Sequence, residues 1–107
     1  MSESIEIFRF KLNTGASQAD LETANQNLQL FIQQQPGFLY RSLSFNHITE
    51  EWIGINYWQS ETAAKAAAEK FTDSSLTQAY MALIDKKTLT KEQSTVVACQ
   101  PGNCGNS

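Results

Sequence analysis

Soft metal donors are scarce in this chain: histidine occurs once, at His47, and cysteine twice, at Cys99 and Cys104, both within the last nine residues. So small a set excludes a structural zinc site, which takes four ligands. It also excludes a secreted disulfide scaffold, whose cysteines would be distributed through the fold. The run Cys99-Gln-Pro-Gly-Asn-Cys104 puts a turn between the thiols, so a small disulfide loop is sterically conceivable. A flexible tail over 99–107 with two reduced thiols is the preferred reading, because cytosolic disulfides are rare and termini are loose.

Positive charge is equally thin. Eight Lys and Arg face eleven Asp and Glu, for a net charge of −3, and the basic residues are scattered. No phosphate-neutralising face is expected, and hence no nucleic-acid partner. No apolar run approaches the ~18 residues that a membrane span needs. The first ten residues alternate like a strand, so no signal peptide is expected and the setting reads as cytoplasmic. Only five Gly and two Pro occur among 107 residues, with 41% hydrophobic and 18% charged, a globular composition. One core, over residues 1–98, is what this length supports. Nucleophile elbow, P-loop and dinucleotide fingerprint are all missing, which removes the enzyme classes built on them.

What is present is a legible series of elements. Ser4 to Leu12 reads as a strand ending at Asn13-Thr14-Gly15, with apolar residues at both parities, so both of its faces should be covered. Ser17, three residues before Asp20, caps an amphipathic helix with Leu21, Ala24, Leu28, Phe31 and Ile32 on one stripe. That helix should run about five turns, to Pro36-Gly37. Phe38 to Ile48 and Glu51 to Trp58 form an aromatic-rich hairpin. If its loop is the two residues Thr49-Glu50, then His47 faces Trp52, Phe45 faces Gly54, Leu43 faces Asn56 and Arg41 faces Trp58.

Ser60 caps an alanine-rich helix over Glu61 to Phe71, and Ser74 or Ser75 caps a short one reaching about Ile84. A last strand falls somewhere within Thr88 to Ala98. Strand, helix, hairpin, helix, strand is the ferredoxin-like β-α-β-β-α-β order, an α+β fold. Its four-stranded antiparallel sheet carries helices on one face, and the bare face is expected to be covered by a second copy of the chain.

Several segments resemble uncharacterised members of the antibiotic-biosynthesis-monooxygenase-like family in the dimeric α/β-barrel superfamily. They are Gln35-Pro36-Gly37-Phe38-Leu39, Trp52 to Trp58 followed by Gln59-Ser60-Glu61, Ala63 to Phe71, and Tyr80-Met81-Ala82-Leu83-Ile84-Asp85, and the similarity spans about residues 4 to 93. The resemblance implies a homodimer whose sheets face each other as a barrel, with a small-molecule cavity between sheet and helices. Some relatives oxidise aromatic polyketides without metal or flavin, others degrade haem, and many have no known activity. Haem-degrading relatives use an Asn on the first strand, a Trp in the second helix and a His on the next. Here those places hold Phe8, Ala67 and no histidine, so haem chemistry is disfavoured.

Asn56, Trp58, Tyr80 and Arg41 are the ligand-pocket candidates, matched by residue type and region. Asn56, an amide in an apolar aromatic strand, must find partners or cost about 1 to 3 kcal/mol. Tyr57 alternates with it and points to the other face. Trp58 reads first as the packing residue that anchors strand to helix, and Arg41 as a stacking partner of Trp58 or a rim charge. His47, at a hairpin end, should be solvated. No catalytic residue, metal or cofactor is assigned. The preferred function is binding of a small aromatic molecule without catalysis; the alternative is a cofactor-independent monooxygenase acting on an aromatic or quinone-like compound.

Overall fold

The computed structural model describes residues 2–98, so the disulfide question at Cys99 and Cys104 and the tail over 99–107 lie outside the described residues. In chain order the elements are β1 (Ser4–Leu12), α1 (Gln18–Ile32), β2 (Phe38–Asn46), β3 (Glu51–Trp58), α2 (Glu61–Phe71), α3 (Ser75–Ala82) and β4 (Ile84–Thr95). The strands form one antiparallel sheet in the order β2-β3-β1-β4, the ferredoxin-like arrangement.

Local signals set most boundaries. Ser17 accepts a bond from the Asp20 amide at 3.1 Å while Asp20 accepts one from the Ser17 amide at 3.1 Å, a reciprocal capping box that starts α1. Ser60 and Ser74 cap α2 and α3 through the Ala63 and Leu76 amides. The α1 helix has 15 residues, ending with its apolar stripe at Ile32 and about one turn short of the Pro36-Gly37 stop. Within an α-helix the Pro36 ring would collide with the Ile32 carbonyl. That carbonyl instead accepts the Gln35 amide at 3.0 Å in a tightened turn.

The hairpin departs from the expected register. Its loop has four residues, His47 to Glu50, closed by Glu50 N–H donating to the Asn46 carbonyl at 2.7 Å. The Asn46 side chain accepts from the Ile48 and Thr49 amides, and Glu50 takes φ +60. Such an Asx-initiated turn absorbs two residues that the sequence pattern assigns to strand. Phe45 therefore pairs with Trp52, Leu43 with Gly54 and Arg41 with Asn56. The shift is by two, so each side chain keeps its face and only its neighbour changes.

The last strand also begins earlier than expected, at Ile84, which pairs with Leu12. A register irregularity between Arg9 and Lys11 lets Thr88 Oγ1 accept the Lys11 amide at 2.8 Å, and the ladder resumes at Arg9–Thr90.

One core lies between the sheet and the helices: Phe10, Leu21, Leu28, Phe31, Ile32, Trp58, Ala64, Ala67, Tyr80 and Ile84 are all buried. Phe10 meets Tyr80 edge-to-face at 5.9 Å, and Phe38 meets Trp58 likewise at 5.7 Å. No helix among the described residues lies over the opposite face of the sheet. There Ile7 pairs with Ile55 and Ile5 with Tyr57, flanked by Ile53, and all five are half-buried.

Candidate functional site

Strand alternation sends Glu6, Phe8 and Phe10 of β1, Gly54, Asn56 and Trp58 of β3, and Arg41 of β2 to the helix side of the sheet. Gly54 stands between Phe8 and Leu43 with no side chain, and a Cβ there would meet nothing within 4 Å. Above it the helices contribute the small residues Ala67 and Ala68. The result is a partly open cavity of about 180 Å³ between sheet and helices, completed by Phe31, Phe71, Tyr80, Met81 and Leu89. Asn56, Trp58, Tyr80 and Arg41 all line it.

The polar floor centres on Glu6, a residue the sequence pattern did not single out. It is 4% exposed. Its Oε1 accepts the Trp58 indole N–H at 2.9 Å and the Asn56 Nδ2–H at 3.3 Å, and its Oε2 lies 3.5 Å from Lys91 Nζ. The sequence-level signal was parity: Glu6 alternates in step with Phe8 and Phe10. A charge between two isoleucines is ordinarily read as the solvated side of a strand, and here the isoleucines take the uncovered face instead.

Asn56 finds its partner on the neighbouring strand, since the ladder sets it directly opposite Glu6. An ionised carboxylate only accepts, so the amide must offer Nδ2 to it. Its Oδ1 is then left buried with no partner among the described residues.

Arg41 does not stack on Trp58. With the register shifted, its guanidinium lies 5.9 Å from the centroid of the Tyr80 ring and donates through Nη1 to Asn25 Oδ1 at 2.6 Å, tying β2 to α1. Burial lowers the pKa of Arg41, and the Tyr80 oxygen opposes that shift. Burial also raises the pKa of Tyr80, with Arg41 pulling it back down.

His47 is exposed in the hairpin turn, against Phe45 at 5.1 Å. Tyr57 points to the open face, edge-on to Tyr40 at 6.0 Å. A wider groove of about 500 Å³ runs between α1 and β2, past Gln18, Glu22, Gln29, Phe45 and His47. Its lining is mostly polar side chains that water solvates well, whereas the cavity under the helices is mostly apolar.

A small ferredoxin-like α+β domain with an apolar cavity roofed by helices is thus the class of protein defined. No family model and no curated protein matches the sequence. Among solved structures, the cofactor-independent oxygenase SnoaB from Streptomyces nogalater is similar with TM-score 0.70 and 21% identity, over 95% of this chain and 98% of that one. The ActVA-Orf6 monooxygenase of Streptomyces coelicolor, in complex with nanaomycin D, gives TM-score 0.71 and 20% identity over 92% and 91%. The heme-degrading protein Rv3592 from Mycobacterium tuberculosis gives TM-score 0.69 and 20% identity over 94% and 98%. The chain therefore has the fold of the antibiotic-biosynthesis-monooxygenase-like proteins.

A haem does not fit the residues present. Among the described residues that line the cavity there is neither imidazole nor thiolate, and burial favours the protonated form of the Tyr80 phenol, the reverse of what iron ligation needs.

Proposed function

We propose that this chain is a small-molecule-binding domain that works as a homodimer and takes a flat aromatic or quinone-like ligand in the cavity under its helices. One observation carries this reading: a partly open cavity walled by aromatic and aliphatic side chains, with its polar groups confined to Glu6, Asn56, Trp58, Arg41, Tyr80 and Lys91. Apolar walls with a few placed polar groups are what orient a small ligand. An engineered cavity of ~150 Å³ binds benzene, so about 180 Å³ accommodates one or two fused rings. Asn56, Trp58, Tyr80 and Arg41 are the proposed contacts, and no metal or cofactor is invoked. A cytoplasmic setting belongs to the same proposal.

The dimer is inferred from the uncovered sheet face. Ile5, Ile7, Ile53, Ile55 and Tyr57 form a contiguous apolar surface there, larger in effect than the scattered apolar residues normal on a monomer. A second copy of the same face is self-complementary about a two-fold axis. Sedimentation should give a dimer at micromolar concentration, and Ile55→Arg a folded monomer; a wild-type monomer would end this part of the proposal.

A second reading, cofactor-independent oxygenation, is favoured by the buried carboxylate on the cavity floor. In such chemistry the substrate's own carbanion meets oxygen, and the protein supplies a proton acceptor and a water-excluding pocket. Oxygen uptake with dihydroquinones and anthrones separates the two readings. Saturable binding without uptake leaves the binding domain; uptake that falls in Asn56→Ala supports the oxygenase.

A further inference from the structure

A carboxylate on the floor of an apolar cavity needs a reason beyond stability. Taking an ion pair out of water costs about as much as its attraction returns, and apolar residues of the same volume commonly serve as well or better. Glu6 nonetheless sits 4% exposed in the cavity that Phe8, Phe10 and Leu89 also line. Its two oxygens are in different situations. Oε1 is committed, accepting from the Trp58 indole and the Asn56 amide. Among the described residues Oε2 meets only the Lys91 ammonium, at 3.5 Å, well beyond the ~2.7–2.9 Å of a charge-assisted hydrogen bond.

Asn56 gives one of its two amide N–H groups to Glu6, and its Oδ1 is buried with no partner among the described residues. The polar capacity left over at Glu6 itself is therefore acceptor capacity, at Oε2. A bare ring entering the cavity leaves it unmet, and a ligand carbonyl placed against Oε2 sets lone pair against lone pair. A ligand O–H or N–H satisfies it.

We infer that Glu6 is the specificity-determining residue of this cavity, selecting flat aromatic ligands that carry an O–H or N–H donor over isosteres that lack one. Trp58 and Asn56 are positioning residues that hold the carboxylate against the sheet floor. Lys91, whose ammonium lies 5.7 Å from the centroid of the Phe8 ring, is the counter-charge. This deepens the ligand-binding reading above and rests on it. Sites built around a hydrogen bond to a ligand discriminate far more sharply against its absence than apolar pockets do against a missing methylene.

The test compares the dissociation constants of 2-naphthol and 2-fluoronaphthalene, a near-isosteric pair, by calorimetry on the full chain. Wild type should prefer 2-naphthol by roughly ten- to a hundredfold. Glu6→Gln keeps an acceptor for the Trp58 indole but puts an NH₂ where Oε2 was, and should bring the ratio to within about threefold. Lys91→Arg keeps a counter-charge beside the carboxylate and should preserve the preference.

Equal wild-type affinity for the two probes overturns the role of Glu6 while leaving the cavity as a binding site, and it does so whether or not the variants fold. A naphthol preference that survives in Glu6→Gln, or that vanishes in Lys91→Arg, also overturns it. If neither probe binds wild type, the binding-domain reading falls with it.

Discussion

Replacing Gly37 by alanine tests the packing of the turn that leads from α1 into β2. Gly37 has φ +85, in the left-handed region, and its carbonyl accepts the Gln59 amide at 2.8 Å, joining the start of β2 to the end of β3. A Cβ at this position would lie 2.6 Å from the Cβ of Ala63, in the first turn of α2. Carbon atoms pack at about 3.5–4.0 Å, so the helix or the turn must move.

Two costs add. The left-handed conformation costs an L residue roughly 1–2 kcal/mol, and overpacking costs about 1–3 kcal/mol more. Together they come to ~2–5 kcal/mol. At about 4–8 °C per kcal/mol for a domain of this size, Tm should fall by at least ~8 °C.

Gly15 supplies the control, because it has φ +93 and nothing within 4 Å of a built Cβ. Gly15→Ala should therefore show the conformational cost alone. Urea unfolding followed by tryptophan fluorescence measures both variants, with Trp58 in the core as a reporter. Adding Ala63→Gly to Gly37→Ala should recover part of the loss, less the ~1 kcal/mol that glycine costs within a helix. If Gly37→Ala proves no more destabilising than Gly15→Ala, the close approach of turn and helix is wrong.

Two further outcomes concern the cavity. Trp58→Phe removes the donor to Glu6 Oε1 and should cost about 2–4 kcal/mol, most of it the ~1.5–3 kcal/mol of a hydrogen bond to a charge. Its cost should shrink in a Glu6→Gln background, and strict additivity in that double-mutant cycle would deny the coupling. Burial raises the folded-state pKa of Tyr80 above its ordinary 10.0, so the folded state holds that proton more tightly than the unfolded chain. Stability from this group is full below about pH 10 and is lost as pH rises through the raised value. Tyr80→Phe should flatten that alkaline decline in denaturation midpoints, and an equally steep decline would refute it.

Much of the fold was legible because its signals are local. Serine caps at 17, 60 and 74 each satisfy an amide two or three residues on, and such bonds are written in sequence spacing alone. The hairpin register was not legible, because it turns on a four-residue loop in which Glu50 adopts a positive φ that its side chain does not advertise. The start of β4 was hidden for a related reason. Ile84-Asp85-Lys86-Lys87 reads as polar connection, and it becomes strand because Asn13 Nδ2 bonds the Ala82 and Ile84 carbonyls and pins the chain beside β1.

The site divides along the same line. Asn56, Trp58, Tyr80 and Arg41 attracted notice by residue type, each being costly to bury idle. Glu6 did not, since a lone acid among isoleucines is usually solvated. The sequence by itself determined an α+β domain with one amphipathic face per helix and too few soft donors for a His- and Cys-based metal site, because composition and periodicity are properties of the chain. Only the tertiary structure decided which face of β1 looks inward. The helices packed over Phe10 and Trp58, Glu6 went with them into the cavity, and Ile5 and Ile7 were left on the face that a second copy is proposed to cover.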